Sequence, residues 1–168
     1  MVDFQETTTV IGLVVLGVLV ITLVAVVMPK VVYRFMQGPL EHRIAAHYRP
    51  DEILMQDLRA NSFGLESAGV WQLRGNGALV LTGTQLHFFM FLPASDLCVP
   101  LNAITELTTT KSHLGKATIY DLLKVHFSAD GKMDSIAWYL TDPQTWKNSI
   151  EALKAASDAR SASLHTAA

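Results

Sequence analysis

The side chains that could do chemistry are scattered along this chain of 168 residues. The densest group is the stretch KSHLGK, where Ser112 and His113 lie close to Lys116. A serine nucleophile needs a base that a third group orients, and nothing in this stretch suggests an orienting carboxylate. We therefore interpret it as an ordinary polar loop. The single cysteine, Cys98, lies between two apolar residues and is interpreted as a small strand residue.

The six histidines have no spacing that indicates a metal site. His42 and His47 are five residues apart, which would splay them around a helix. The chain has no HExxH motif, no paired cysteines, no GxSxG motif and no phosphate-binding loop. We predict that the protein is not an enzyme, with no catalytic, metal-binding or cofactor-binding residue and no small-molecule substrate.

Residues Val10–Met28 form an uncharged apolar stretch of nineteen residues. As a helix they would span about 28 Å, close to the hydrocarbon thickness of a bilayer. A buried core helix rarely stays apolar on every face for so long. A cleaved secretory signal begins with basic residues, whereas Met1–Thr9 contains none. We predict a retained single-pass transmembrane helix at 10–28 after a short external N-terminus at 1–9.

The charges on either side of the span predict its orientation. The residues before it carry a net charge of −2 and the segment 29–50 carries +3, and basic flanks remain on the cytoplasmic side. We therefore expect the C-terminal part in the cytoplasm, at the inner (cell) membrane. A lone cysteine, which cannot form an internal disulfide, fits that compartment. Residues 50–168 carry a net charge of −3, which argues against nucleic-acid binding.

The segment 29–50 is predicted to be a helical juxtamembrane linker. Aromatic and basic side chains suit the headgroup layer, and five residues are candidates for contact with the membrane surface: Lys30, Tyr33, Arg34, Phe35 and Arg43. Gly38–Pro39 is expected to break the helix. Leu40, Ile44 and Tyr48 then recur at four-residue spacing, which predicts a short amphipathic helix ended by Pro50. That helix could lie on the membrane or, as we favour, pack on the following domain.

From Asp51 the pattern changes to strands and turns. Asn76–Gly77 and Asp130–Gly131 have the preferred chemistry of tight hairpin turns, and another turn is predicted at Thr82–Gly83–Thr84. About seven strands are expected, and eight apolar or alternating runs are the candidates for them: Glu52–Leu58, Val70–Leu73, Ala78–Leu81, Gln85–Leu92, Leu97–Leu101, Ile104–Thr110, Ala117–Phe127 and a last one with Ile136, Trp138 and Leu140.

A helix is predicted to finish the domain. Asp142 is a suitable N-cap, and Pro143 fits the first helical position. An apolar stripe at helical spacing follows: Trp146, Ile150, Leu153 and Ala156. Residues 157–168 are mostly small and polar, which predicts a disordered tail.

This order of elements, with the runs RGNGALVLTGTQLHFF, VPLNAIT, LLKVHF and IAWYLTDPQTW, resembles the pleckstrin-homology-like superfamily, especially its bacterial and GRAM-type branches. The resemblance covers 51–156 and rests on spacing and pattern rather than on catalytic residues. It implies a barrel or sandwich of about seven antiparallel strands, partly open and capped by the C-terminal helix. A lipocalin-like or other small barrel is the alternative fold.

Members of this superfamily bind headgroups, peptides or partner proteins, and those that bind phosphoinositides resemble one another in a basic cluster within the first hairpin. The corresponding stretch, Leu58–Arg74, offers only Arg59 and Arg74, with Glu66 between them. That departure argues against specific phosphoinositide binding. Three residues of another loop are weak candidates for contact with anionic lipid: Lys111, His113 and Lys116.

The second strand of the hairpin GALVLTGTQLHFFMF is apolar on both faces. If Leu86, Phe88, Met90 and Leu92 face the interior, three residues face outward and are candidates for a partner interface: His87, Phe89 and Phe91. Two exposed phenylalanines need a cover, which could be the Leu40–Tyr48 helix, the membrane surface or another protein. We favour the helix slightly.

The sequence therefore predicts a non-catalytic, membrane-tethered interaction module whose partners are the lipid bilayer and other membrane proteins. In its sharper form, the prediction is an accessory or assembly subunit of a larger integral membrane complex. The alternative is a free-standing module that binds lipid headgroups or a peptide at the inner leaflet.

Overall fold

The computed structural model describes residues 4–166, with the side chains of residues 11–28, 30–31, 34–35 and 37–159. The chain divides into two compact units, Met1–Pro39 and Leu40–Ala168. The described part of the first unit is helical, and the strands lie in the second unit. Residues 1–3 of the predicted external N-terminus and residues 167–168 of the predicted tail lie outside the described residues.

The first helix, α1, covers Phe4–His47. Within it, Ile11–Met28 has a mean hydropathy of 3.1 and no buried side chain, so this stretch is long and apolar enough to cross a membrane. The break predicted at Gly38–Pro39 is wrong, because the helix continues through both residues. A proline removes a single backbone hydrogen bond, and the bonds on either side can persist. The end of the helix before Pro50 is confirmed.

Seven strands follow: β1 (Ile53–Leu65), β2 (Gly75–Thr82), β3 (Gln85–Met90), β4 (Ser95–Pro100), β5 (Ile104–His113), β6 (Lys116–Ala129) and β7 (Lys132–Tyr139). They form one antiparallel sheet in the order β4-β3-β2-β1-β7-β6-β5. Strands β4 and β5 are its two edges, so the sheet is not closed. The predicted fold class is confirmed: an apolar N-terminal helix, about seven antiparallel strands and a C-terminal helix.

The β2–β3 hairpin turns where the sequence predicted, around Gly83 and Thr84. The predicted inward face is confirmed for Leu86 and Phe88, which are buried in the main core, and for Met90, which packs against it. Leu92 is 76% exposed, contrary to the prediction. Strand β3 ends at Met90, and Leu92 therefore belongs to the turn before β4.

The hairpin turn predicted at Asn76–Gly77 is wrong, and so is the strand predicted at Val70–Leu73. Asn76 and Gly77 lie inside β2, paired with β1. A Cβ added to Gly77 would lie 2.2 Å from the carbonyl oxygen of Phe89 in β3. The glycine is therefore required by the close approach of a neighbouring strand, and not by a turn. Strand β1 extends to Leu65, beyond its predicted end, and Val70–Leu73 lies in the loop before β2.

Two other hairpins turn on residues in the left-handed backbone region. Strands β6 and β7 are joined at Asp130 and Gly131, with φ values of 51° and 75°, as predicted. Strands β5 and β6 are joined at Leu114 and Gly115, with φ values of 50° and 72°. The predicted KSHLGK loop is therefore a two-residue turn, and its other residues belong to the two strands.

The main core lies between the sheet and the second helix, α2 (Pro143–Thr166). Each strand contributes at least one buried apolar side chain, and α2 contributes Trp146 and Ile150. The predicted cap is confirmed, because a carboxylate oxygen of Asp142 accepts a 3.0 Å hydrogen bond from the backbone N–H of Thr145.

Helix α2 continues to Thr166, although a disordered tail was predicted from Ser157. Residues 157–166 contain no glycine or proline and include alanine, arginine and leucine, which favour helix. Of the predicted stripe, Leu153 is half-buried and Ala156 is exposed, so the helix leaves the core after about three turns.

Candidate interaction surfaces

The last turns of α1 and the residue that follows them, Leu40–Tyr48, pack on the outer face of β2 and β3. We name Leu40–Tyr48 the docked segment. Leu40 and Ile44 share one helix face and are 1% and 3% exposed. They form a second apolar cluster with three residues of the sheet: Ala78, Val80 and Phe89. The favoured prediction, that this helix packs on the domain, is confirmed.

The docked segment covers the residues predicted as a partner interface. Phe89 is fully buried, His87 is 3% exposed and Phe91 is half-buried. The outward direction predicted for Phe89 is confirmed, and its cover is the helix that we slightly favoured. A partner protein at these residues stays a prediction, and it would have to bind over the docked segment or displace it.

Arg43 fastens the docked segment to the turn between β3 and β4. Its guanidinium donates hydrogen bonds to the carbonyl oxygens of Met90 (2.6 Å) and Ser95 (3.3 Å) and forms an ion pair with Asp96. Its central carbon lies 5.6 Å from the centre of the Phe89 ring. The predicted membrane contact of Arg43 is therefore corrected, because its charge is satisfied within the domain.

A hydrogen-bonded chain holds the other end of the docked segment. The hydroxyl of Tyr48 lies 2.7 Å from Nδ1 of His87 and accepts a 2.6 Å hydrogen bond from the side chain of Gln85. Nε2 of His87 is buried without a hydrogen-bond partner among the described residues, and the nearest carboxylate oxygen of Asp96 is 3.9 Å away. Burial lowers the pKa of His87, although the charge of Asp96 acts in the opposite direction. Burial in this position therefore favours the neutral imidazole.

Two of the three side chains predicted to contact anionic lipid are buried or hydrogen-bonded within the domain. His113 is 5% exposed, and its Nε2 lies 2.9 Å from a backbone carbonyl oxygen of β1. Burial lowers the pKa of His113, against the effect of that hydrogen bond. The ammonium of Lys116 donates hydrogen bonds to the carbonyl oxygens of Phe63 (3.2 Å) and Gln72. Of the three candidates, Lys111 alone is exposed and stays a candidate.

Acidification is expected to destabilise the domain through His87 and His113. Folding lowers the pKa of both imidazoles from the ordinary value of 6.5. Below that pH the unfolded chain takes up protons that the native state does not, so this part of the stability is complete above pH 6.5 and is lost as the pH falls. We expect the urea midpoint to fall between about pH 7.5 and about pH 5.5, and to fall less steeply in the His87→Gln and His113→Gln variants.

The matched control for this pH dependence is His42→Gln, because the side chain of His42 is exposed. That variant should keep the wild-type dependence of the urea midpoint on pH. Equal dependence in all three variants would mean that the buried imidazoles do not cause the effect.

The remaining candidates for membrane-surface contact belong to the first unit. The side chains of Lys30, Arg34 and Phe35 are exposed on α1, and Phe35 is 77% exposed. The side chain of Tyr33 lies outside the described side chains. Contact of these four residues with the headgroup layer stays a prediction.

Large apolar side chains that sequence reasoning did not single out are exposed in the loop between β1 and β2. Trp71 is 95% exposed and Leu73 is 90% exposed. The apolar character of these residues suggested a strand, in which the sheet would have buried their side chains. Their position between Gly69 and Gly75 was the signal for a loop, since glycines interrupt strands.

An open groove of about 310 Å³ lies beside this loop, lined by Asn61, Phe63, Arg74, Thr118, Tyr120 and Tyr139. The central carbon of the Arg74 guanidinium lies 4.0 Å from the centre of the Phe63 ring. Tyr120 belongs to a bulge, Thr118–Asp121, that a single residue of β5 opposes. Within the described residues, no group of three His, Cys, Asp or Glu side chains could hold a metal ion. The groove therefore offers aromatic walls and one cation, which suit non-covalent binding.

No protein-family model and no curated protein matches this chain. Among solved structures, the Vps36 N-terminal PH domain is similar to it at 14% sequence identity and a TM-score of 0.45. The similarity covers 61% of this chain and 77% of the Vps36 chain. The fold is defined by the order and pairing of the seven strands, followed by α2.

Proposed function

We propose that this chain is a non-catalytic interaction module that its N-terminal helix holds at the inner membrane. In this proposal the helix is retained as a single-pass anchor, the N-terminus is external and the strand-containing domain is cytoplasmic. The domain is of the pleckstrin-homology-like, GRAM-type kind and serves as an accessory or assembly subunit of a larger integral membrane complex.

The observation that carries the proposal is the burial of the docked segment in the domain. Leu40 and Ile44 belong to a core cluster, and only eleven residues, 29–39, separate Leu40 from the end of the apolar stretch at Met28. Such a short connection restricts the distance of the domain from the bilayer. A module that holds a partner at a fixed position needs this restriction, whereas a soluble enzyme does not.

The orientation is supported by the charges that flank the apolar stretch. The segment 29–50 carries +3, and the residues before the stretch carry −2. Basic residues close to a span remain on the cytoplasmic side. The unpaired thiol of Cys98 fits a reducing compartment.

The experiment for the subunit role is native electrophoresis of the full chain after extraction from its own membrane in a mild detergent. The proposal expects co-migration with larger membrane proteins, which mass spectrometry of the band would identify. A single band at the size of the 18.4 kDa chain in its detergent micelle would contradict the subunit role.

A free-standing lipid-binding module is the second candidate, and the exposed Trp71 and Leu73 favour it. For that candidate, the chain would migrate alone in detergent and its domain would associate with the bilayer surface.

A further inference from the structure

The groove beside the β1–β2 loop lies on a third apolar cluster of the domain. Phe63, Leu122 and Ala137 are buried in this cluster, and Tyr139 packs against them. Helix side chains belong to each of the other two clusters, whereas this one contains none within the described residues. The ring of Tyr120 lines the groove beside Tyr139, with 5.3 Å between the ring centres. We name this groove the aromatic groove.

Arg74 is the one charged residue among the six that line the aromatic groove. Its guanidinium rests on the Phe63 ring, with its central carbon 4.0 Å from the ring centre. It has no ion pair and no hydrogen bond within the part of the chain that the structure describes. Stacking on a ring orients the guanidinium plane but uses none of its N–H donors. Arg74 is therefore an oriented cation whose donors are free to bind an anion.

The phenolic hydroxyls of Tyr120 and Tyr139 add two polar groups to the groove. Neither hydroxyl has a hydrogen-bond partner among the described residues, and a phenolic O–H can donate to an anion. None of the six lining residues is acidic, so the lining carries no carboxylate that would repel an anion. The groove therefore combines apolar ring faces with donors for one negatively charged group.

A single free cation matches a carboxylate better than a phosphate. A guanidinium binds the two oxygens of a carboxylate through two parallel N–H bonds. A phosphate group carries a charge of about −1.5 to −2 and is usually held by a cluster of arginines. The ammonium of Lys116 does not supply a second cation, because it already donates hydrogen bonds to the carbonyl oxygens of Phe63 and Gln72.

We propose that the aromatic groove binds an acidic segment of a partner protein. A carboxylate of that segment bonds to Arg74, and a neighbouring aromatic or aliphatic side chain packs against Tyr120 and Tyr139. The inference rests on the proposed function and deepens it, because it gives the chemistry of the partner that the interaction module binds. The groove volume of about 310 Å³ is at the low end of the range of ligand pockets, about 300–1,000 Å³, which indicates a short segment.

The bulge at 118–121 indicates how the segment is held. Strand β6 pairs with β7 from Leu122 onwards, so the bulge borders the groove beyond the end of β7. The backbone N–H of Tyr120 already donates a 3.2 Å hydrogen bond to the hydroxyl of Thr118. We therefore expect side-chain contacts to determine binding, and not the addition of the segment to the sheet as a strand.

Selection from a phage-displayed library of random peptides, each about seven residues long, tests the proposal without a known partner. The full chain is immobilised in phosphatidylcholine nanodiscs, and the phage are first depleted on empty discs. We expect enrichment of peptides that carry aspartate or glutamate beside an aromatic or aliphatic residue. A selected peptide, made with a dye and titrated by fluorescence anisotropy, should bind about fivefold more weakly when its acidic residues are replaced by their amides.

Variants of the chain locate the binding. Arg74→Gln and Tyr120→Ser should each weaken binding of the selected peptide about fivefold, the first by removing the cation and the second by removing one wall. Both side chains are exposed, so an unchanged urea midpoint should show that each variant is folded. The matched control is Lys132→Gln, which removes an exposed cation of β7 that does not line the groove, and it should leave the affinity unchanged.

The inference and the proposed function fail in different experiments. Selection of no acidic class of peptide, or of the same class by Arg74→Gln, would overturn the inference alone. Displacement of the peptide by inositol trisphosphate at a lower concentration than by unlabelled peptide would also overturn it, and would assign the groove to a phosphate ligand. A chain that migrates alone in native electrophoresis would instead contradict the subunit role.

Discussion

Replacing Gly77 by alanine is expected to destabilise the domain by about 3 kcal/mol or more. The added Cβ would lie 2.2 Å from the carbonyl oxygen of Phe89 and 2.8 Å from a ring carbon of Phe88. The first of these atoms belongs to the backbone of β3, which cannot rotate away as a flexible side chain could. Strands β2 and β3 would have to separate, and the core under Phe88 would open with them. Chemical denaturation of the full chain in detergent micelles, followed by tryptophan emission, measures the loss.

The matched control for this substitution is Gly83→Ala in the turn of the same hairpin. A Cβ at Gly83 would meet no atom within 4 Å, and the free energy of unfolding should change by less than about 0.5 kcal/mol. Similar losses in both variants would show that β2 and β3 do not approach each other at Gly77 as closely as described.

Shortening a buried side chain of the docked segment should destabilise the domain to a comparable extent. Leu40→Ala and Ile44→Ala are each expected to cost about 2–5 kcal/mol, because both side chains are buried in the second apolar cluster. The loss should also expose the face of β2 and β3 around Phe89, so limited proteolysis should cut the chain between the apolar helix and β1 more rapidly.

The control for the docked segment is Leu54→Ala, which removes the same atoms from a side chain of β1 that is 52% exposed. It should cost far less than either docked-segment variant. If Leu40→Ala proves as mild as Leu54→Ala, the segment is not part of the domain's core, and the proposed function loses the observation on which it depends.

The features that the sequence predicted correctly are those that local chemistry determines. Asp130–Gly131 forms a tight turn because both residues accept positive φ, and Asp142 caps α2 through a hydrogen bond three residues away. The alternation of side chains in β6 also predicted correctly which residues face inward, because Leu123, Val125 and Phe127 all belong to the main core. In each of these cases the determining partners are close in sequence.

The errors come from residues whose surroundings are distant in sequence. Gly77 has the chemistry of a turn, but its conformation is set by Phe89 of the neighbouring strand. Similarly, Val70–Leu73 has the composition of a strand but no pairing partner in the sheet. Composition alone cannot distinguish a buried apolar strand from an exposed apolar loop, since the difference lies in what packs against it.

The candidate site was predictable only as a location. The sequence indicated that the outer face of β3 needs a cover and named Leu40–Tyr48 as one of three covers. It could not assign Arg43 to the carbonyl oxygens of Met90 and Ser95, because these contacts join residues 47 and 52 positions apart. A basic residue after a membrane span resembles a headgroup contact until the tertiary fold brings acceptors to it.

Labelling of the single cysteine tests the central claim, that the domain is held on the cytoplasmic side by a retained anchor. Cys98 is exposed on the domain. Partial burial of its thiol, followed by the charge of Asp96, raises the pKa of that thiol, so labelling should be done at mildly alkaline pH. If the domain is cytoplasmic, a membrane-impermeant maleimide should leave Cys98 unmodified in intact cells and modify it after permeabilisation. A Thr8→Cys, Cys98→Ser variant should be modified without permeabilisation. Modification of Cys98 in intact cells would mean that the domain lies outside the cytoplasm.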